Sequence, residues 1–129
     1  MSYSWRTPFV IGSIARLAYG TGAMFAPEWM GEHIAPTLQD HADARMNLRG
    51  FGSAHTAIAV YTLAAGKNSD RARTVLGLNA TADTLDAGVS LLEWRARGKV
   101  DSVIAGGVAL NLAGLLCWAT AAVALGRGS

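Results

Sequence analysis

Four charged residues lie inside stretches of this sequence that are otherwise apolar: Arg16, Arg49, Asp83 and Asp86. Two acids that lie close together can divide into one that holds a proton and one that does not, which suits acid–base chemistry. Arginine side chains can hold an oxyanion in such a site. The same residues would also serve a proton-coupled carrier, or two buried ion pairs that fix helix register. Residue types and spacing leave these three alternatives open.

Further polar residues share helical faces with these charges. Residues three and four positions apart lie on one face of a helix, so short runs with that spacing form stripes. The stripes consist of Gly12, Arg16 and Gly20; of Asn79, Asp83, Asp86 and Ser90; and of Gly107, Asn111, Gly114 and Trp118. The glycines on either side of Arg16 would let a neighbouring helix approach its guanidinium closely.

The candidate site is drawn from these stripes and from three further residues, Arg49, His55 and Tyr19. The candidate catalytic residues are Asp83 and Asp86, with His55 as a weaker third. The candidate ligand-binding residues are Arg16, Arg49, Asn79, Asn111 and Tyr19. A histidine or tyrosine in an apolar helix is more often a packing residue than a reactive one, which is the alternative for His55 and Tyr19.

The height of each charged residue along its helix predicts which other charge it pairs with. If four helices alternate in direction, the first and third run the same way, and Arg16 then lies at about the height of Asp83. We expect a central layer of Arg16, Asp83 and Asn111, and an outer layer in which Arg49 pairs with Asp86. Two arginines with two aspartates would be electrically neutral, as a low-dielectric interior requires.

Four nearly uncharged segments must position these residues. They are Thr7–Ala26, Met46–Gly66, Arg73–Leu92 and Ser102–Leu125. Each is about 20 residues long or slightly longer, which is the length that crosses a bilayer core. The fold predicted is all-α: one domain, residues 1–129, forming a transmembrane four-helix bundle with up-down-up-down order. The alternatives are a soluble, alanine-rich bundle and, for the first segment, a cleaved signal peptide, against which Arg16 argues.

Composition excludes several classes of protein. Of the 129 residues, 51% are apolar and only 16% are charged, against a usual charged fraction of about 25%. The net charge of +2 is too small and too scattered for a nucleic-acid-binding surface. A single cysteine excludes an internal disulfide and any zinc site built from several thiolates.

The segment flanks favour an inner (plasma) membrane, multi-pass location. Trp5 and Trp29 bracket the first segment and Trp94 ends the third, as expected for headgroup-level tryptophans. The first connector, 26–44, contains acids and no lysine or arginine, whereas the second is basic. The positive-inside rule then places both termini in the cytoplasm, although the basic third connector argues for the opposite orientation.

The first connector also contains acids and histidines that could ligate a metal. They are Glu28, Glu32, His33, Asp40, His41 and Asp43. Their spacing matches no compact metal motif, so we interpret the connector as a solvated acidic loop, with room for a short surface helix anchored by Trp29, Met30 and Ile34. We expect no metal and no cofactor.

Three short motifs together resemble a known family. They are Arg16 with Tyr19-Gly20 running to Ala26-Pro27, then 48–52 (Leu-Arg-Gly-Phe-Gly), then Ala82-Asp83 with Asp86. In this order they resemble small four-helix bacterial membrane proteins of unknown function, frequent in actinobacteria and loosely similar to DoxX-like membrane proteins. The resemblance implies a four-helix membrane fold and no activity. Where members often have Ala-Arg and an acid after the Phe-Gly, this chain has 53–55 (Ser-Ala-His).

Three functions agree with these observations. The first is a membrane-embedded binding protein or accessory subunit for a lipophilic ligand or a partner helix. The second is a cofactor-free membrane enzyme doing acid–base chemistry, an isomerisation or epoxide opening, on a lipophilic substrate. The third is a small oligomeric transporter. The expected partners are the lipid bilayer, a lipophilic small molecule and, through Gly106, Gly107 and Gly114, a homo-oligomer or larger membrane complex; nucleic acid is not expected.

Overall fold

The computed structural model describes residues 4–34 and 42–127, and they form an all-α structure of five helices. These are α1 Arg6–Phe25, α2 Pro27–Ile34, α3 Ala42–Ala65, α4 Ser69–Arg97 and α5 Ser102–Arg127. The prediction of an all-α fold is confirmed. The four long helices match the four apolar segments, and α2 is the short helix for which the first connector has room.

The long helix α4 extends beyond the predicted segment at both ends because its termini are polar and capped. The Asn68 side chain accepts hydrogen bonds from the backbone N–H groups of Asp70 and Arg71, at 2.9 and 3.0 Å, which is the usual N-cap arrangement. At the other end Gly98 has a φ of 67°, the left-handed conformation that stops a helix. Hydropathy alone does not report such polar turns, so the prediction of residues 73–92 was too short.

A sharp bend separates α1 from α2. Pro27 disfavours helical conformation at Ala26, and the two helix axes differ by 108°. Met30 on α2 is buried, and its sulfur would lie 3.5 Å from a Cβ placed on Gly22. The bend therefore folds α2 back over the end of α1.

The four long helices alternate in direction. Phe9 lies against Gly66, and Gly20 lies against Thr56, so α1 and α3 are antiparallel. Asn79 on α4 donates to Thr62 on α3.

The remaining helix pairs continue this order. Trp118 on α5 donates to Asp83 on α4, while Ser90 lies against Gly107. Trp118 also packs on Gly12, which brings α5 back onto α1. Asp83, Trp118 and Gly12 thereby lie where α1, α4 and α5 meet.

The close approach of α1 to α3 depends on two glycines. A Cβ on Gly52 would lie 2.6 Å from Gly20 O and 2.6 Å from Met24 N, and one on Gly20 would lie 2.7 Å from Thr56 N. These neighbours are backbone atoms and cannot move aside as a side chain can. Gly20 and Gly52 therefore set the distance between α1 and α3.

A Gly52→Ala substitution is expected to lower the free energy of unfolding by about 1 to 3 kcal/mol, because it forces α1 and α3 apart. Gly50→Ala is the matched control on the same helix, since no atom lies within 4 Å of the added Cβ. The control should be neutral or slightly stabilising, because alanine favours a helix. Unfolding followed by circular dichroism compares the two variants, and equal stability would contradict the glycine contact.

The connection between α4 and α5 contains an acid-sensitive cap. Asp101 Oδ1 accepts from the backbone N–H groups of Ile104 and Val103, at 3.0 and 3.1 Å, and Oδ2 accepts from Arg97 at 3.0 Å. The Ile104 N–H, with the Arg97 guanidinium, holds the pKa of Asp101 below its ordinary value of 3.8. A carboxylate with a depressed pKa stabilises the fold above the ordinary value.

We therefore expect the contribution of Asp101 to stability to be lost as the pH falls below 3.8 toward the lowered value. Asp101→Asn keeps an N-cap acceptor but does not titrate. The difference in stability between this variant and the unmodified chain should shrink over that pH range, as followed by thermal unfolding. A difference that does not change with pH would show that Asp101 does not act as the acid-sensitive cap.

Apolar side chains lie both in a buried core, which includes Phe9, Val75 and Trp118, and on the outer face of the bundle. Buried polar residues include Ser13, Arg16, His55, Thr62, Asn79 and Asp83. Large apolar side chains are exposed on every long helix, among them Ile11, Val60, Leu85, Leu92 and Leu116, each more than half exposed. Within the described part of the chain, α5 is the one helix whose length and apolar composition suit a membrane crossing, and α1 with α2 meets the same criterion as a bent pair.

Candidate functional site

Arg16 lies at the centre of the bundle and forms a buried ion pair. Its Nη2 donates to Asp83 Oδ1, and both side chains are only 6% exposed. The second oxygen of Asp83 accepts a hydrogen bond of 2.7 Å from the indole N–H of Trp118. Both carboxylate oxygens of Asp83 are therefore occupied. The predicted pairing of Arg16 with Asp83 is confirmed.

His55 is the second partner of Arg16. Its Nδ1 lies 3.0 Å from Arg16 Nη1. Because a guanidinium has only donors, Nδ1 must be the acceptor, which assigns the proton of the neutral ring to Nε2. The pattern of apolar residues favoured a packing histidine here, whereas the structure brings His55 into the charged cluster.

Asp86 lies next to His55 with one oxygen unsatisfied. His55 Nε2, which carries the ring proton, is 3.3 Å from Asp86 Oδ2, yet no hydrogen bond reaches this buried oxygen among the described residues. The Asp86 side chain is 25% exposed, in contrast to the fully enclosed Asp83. One arginine thus faces two carboxylates, and the second carboxylate lacks a cation.

Two further aromatic rings surround His55. Phe51 lies one helical turn before it, with ring centroids 4.0 Å apart, and Tyr19 crosses from α1 at 6.1 Å. Tyr19 and Phe51 also meet edge to face at 5.9 Å. These rings form an apolar wall beside the polar cluster.

The cluster borders a cavity of about 280 Å³ between α1, α3, α4 and α5. Its polar lining comes from the residues described above and from Asn111, and its apolar lining comes mainly from α1 and α5. Ile11 and Leu110, on α1 and α5, are 58% and 48% exposed, so the cavity opens sideways between these two helices. The arrangement offers an apolar chamber with a carboxylate on one wall.

Most of the predicted site residues meet at this cavity. Those that line it are Arg16, Tyr19, His55, Asp83, Asp86 and Asn111. Asn79 lies elsewhere: its amide nitrogen donates to Thr62 Oγ1 at 2.8 Å and to Val75 O at 2.7 Å. Asn79 therefore links α3 to α4 and does not contact the cavity.

The predicted pairing of Arg49 with Asp86 is wrong. Arg49 donates to the carbonyl oxygen of Met24 at 3.0 Å, lies 3.5 Å from Glu28, and is half exposed. The helix register is the physical reason, because His55 lies opposite Asp86 and Arg49 is six residues further away, about 9 Å along the axis. Arg49 secures the α1–α2 bend instead.

Two residues of the site were not predicted as such. Trp118 holds Asp83, and Phe51 contacts His55. Trp118 belongs to the stripe that also contains Asn111 and Gly114, so the sequence carried a signal for it. Tryptophan can donate one hydrogen bond when buried, and an aspartate on a facing helix is a suitable acceptor.

The glycines proposed for a subunit contact have different surroundings. Gly107 and Gly114 pack within the chain, against Ser90 and Asp83 respectively. Gly106 has no atom within 4 Å of a Cβ placed on it. Of the three, Gly106 is thus the one that remains open to a partner.

The connector residues considered for a metal are only partly described. Asp40 and His41 lie outside the described residues, and so does the side chain of Asp43. Glu28 lies near Arg49, and His33 stacks on Trp29 with ring centroids 4.5 Å apart. Within residues 4–34 and 42–127, no group of three or more His, Cys, Asp or Glu side chains has the arrangement of a metal site.

Three of the residues that carry the family resemblance, Arg16, Asp83 and Asp86, line the cavity, whereas Arg49 does not. The resemblance remains a prediction from the sequence. Comparisons with protein-family models, with curated proteins and with solved structures found no match for this chain.

Proposed function

We propose that this chain is a multi-pass protein of the inner (plasma) membrane that binds a small lipophilic ligand in the cavity between its helices. The cavity of about 280 Å³ carries this proposal, because it joins apolar walls to a buried polar cluster. Ligand sites usually combine an apolar lining with a few placed polar groups.

The distribution of charge along the helices supports a bilayer location. In α4 the charged residues lie near the two ends, apart from Asp83 and Asp86 in the middle. In α1 the single interior charge is Arg16, which is paired. Ionised groups in hydrocarbon face the bundle interior and meet one another, as this pair does. Apart from Asp83 and Asp86, the charged groups of α4 are thus confined to its ends.

The exposed side chains support the same location. Val60 on α3, Leu85 on α4 and Leu116 on α5 are 55 to 69% exposed. In water such surfaces would drive aggregation, whereas in lipid they are the normal outer face. The lateral opening between α1 and α5 would then face the acyl chains, so a ligand could enter from the membrane itself.

Photolabelling in lipid nanodiscs tests the binding function. A dodecyl diazirine should label cavity residues such as Leu110 and Cys117 more heavily than outer-face residues such as Leu85 and Val123. Ala15→Leu narrows the cavity, since Ala15 lines it. Ala18→Leu is the matched control on the outer face of the same helix. Labelling that is equal on all faces, and unchanged by Ala15→Leu, would reject a binding cavity.

A second function, acid–base catalysis, is favoured by one observation. Asp86 lines the cavity with its side chain 25% exposed, and His55 Nε2 lies 3.3 Å from its Oδ2, which no hydrogen bond reaches among the described residues. A carboxylate in the wall of the cavity is placed to accept a proton from a bound substrate. Arg16 and Arg49 do not converge on an oxyanion, because Arg16 is occupied and Arg49 lies elsewhere. Turnover of a lipophilic substrate that is lost in Asp86→Asn, with binding retained, would favour the enzyme.

A further inference from the structure

The carboxylate of Asp86, which has no cationic partner of its own, restricts which lipophilic ligands fit the cavity. Arg16 gives one donor to Asp83 and another to His55, and Asp83 receives a second donor from Trp118. This part of the cluster is internally satisfied. Asp86 is different, because its side chain lines the cavity and is 25% exposed, while no hydrogen bond within the described chain reaches its buried Oδ2. A carboxylate in an apolar setting requires either a proton or a cationic partner.

From this we infer that the cavity selects a lipophilic amine, whose ammonium group donates to Asp86 while its hydrocarbon part fills the apolar chamber. The inference rests on the proposed binding function and specifies its ligand class. An ammonium supplies a positive charge together with N–H donors to the exposed part of this carboxylate, whereas the neutral ring of His55 supplies no charge.

The aromatic wall favours the same chemistry. Phe51 and Tyr19 both line the cavity, and both contact His55, the neighbour of Asp86. The face of an aromatic ring attracts a cation within about 6 Å. A cationic head placed at Asp86 would therefore lie near rings that stabilise it further. His55 is neutral in the hydrogen-bonded tautomer and does not repel such a head.

Lipophilic acids fit the cavity poorly. A fatty carboxylate would meet Asp86, a like charge, and the nearest cation, Arg16, is already engaged by Asp83 and His55. Like charges that share a low-dielectric site repel strongly. A neutral alcohol avoids this repulsion but supplies no charge, so it should bind with intermediate affinity.

The cavity volume sets the size of the ligand. An engineered cavity of about 150 Å³ holds one benzene molecule. By proportion, about 280 Å³ accommodates roughly a dozen non-hydrogen atoms. A decyl chain with one head-group atom is of this size, which makes decylamine, decanol and decanoate a matched series of probes.

Competition with the dodecyl diazirine tests the inference in nanodiscs of zwitterionic phosphatidylcholine, which do not concentrate amines by charge. Decylamine should protect the cavity at a concentration roughly 10- to 100-fold lower than decanol, since a charge-assisted hydrogen bond is stronger than a neutral one. Decanoate should protect least. Asp86→Asn should remove the advantage of decylamine while decanol still protects, and Asp86→Glu should retain it.

Asp70→Asn is the control, because this acid is exposed near the start of the same helix. Partitioning of the probes into lipid is the same for all variants, so differences between variants report the site. If decylamine and decanol protect equally in the unmodified chain, the amine inference is overturned while cavity binding stands. If none of the three compounds protects the cavity, the proposed binding function fails as well. Circular dichroism of each variant excludes loss of fold as the cause.

Discussion

The Arg16→Met variant is expected to lose about 3 to 5 kcal/mol of folding free energy, because it leaves the buried Asp83 carboxylate without its cation. Both side chains are 6% exposed, so water cannot replace the lost partner. His55 would also lose the donor to its Nδ1. Arg49→Met is the matched control, since Arg49 is half exposed, donates to a carbonyl oxygen at a bend and pairs with the exposed Glu28. The loss of folding free energy in Arg49→Met should be much smaller.

A double-mutant cycle separates the ion pair from these other contacts. Asp83→Asn keeps an acceptor for the indole N–H of Trp118 but removes the negative charge, so it leaves Arg16 as an unpaired buried cation. Combined with Arg16→Met, it removes both charges. The double variant should lose clearly less stability than the two single variants together, as expected for residues in direct contact. Unfolding in detergent micelles by increasing dodecyl sulfate, followed by circular dichroism, measures all four proteins; strictly additive losses would show that the two charges are not coupled.

Gly114→Ala is expected to be the most damaging glycine-to-alanine substitution in α5. A Cβ at this position would lie against the Asp83 carboxylate and push it away from Arg16 and Trp118. We expect a loss of about 3 kcal/mol, the lower end of what a broken buried pair costs. The added methyl group is small, so the loss comes from the displaced carboxylate.

Gly106→Ala is the control for this substitution, because no atom lies within 4 Å of its added Cβ. Alanine there should be neutral or stabilising by up to about 1 kcal/mol, through helix propensity alone. The same dodecyl sulfate titration compares the two variants. Equal stabilities would mean that α5 does not pack against Asp83 as described.

The all-α fold and one central contact follow from the amino-acid sequence alone. Long, nearly uncharged segments predict helices, and the cost of an isolated charge within them requires that Arg16 find a partner. Because the first and third long helices run in the same direction, Asp83 was the partner at the right height. The small residues beside Arg16 were likewise informative, since Gly12 and Gly20 admit Trp118 and α3 respectively.

The other contacts of the site depend on tertiary packing, because side-chain packing sets helix register and rotation, and the periodicity of a sequence does not contain it. The sequence placed Asp86 with Arg49, whereas the register of α3 against α4 places it beside His55. Hydropathy also missed the capped ends of α4, which are fixed by hydrogen bonds at Asn68 and by the conformation of Gly98. The indole N–H of Trp118 is satisfied by Asp83 only when α5 lies where the close contacts at Gly12 and Gly114 place it. The cost of burying an isolated charge requires that each charge find a partner. Which partner it finds depends on how the four long helices pack together.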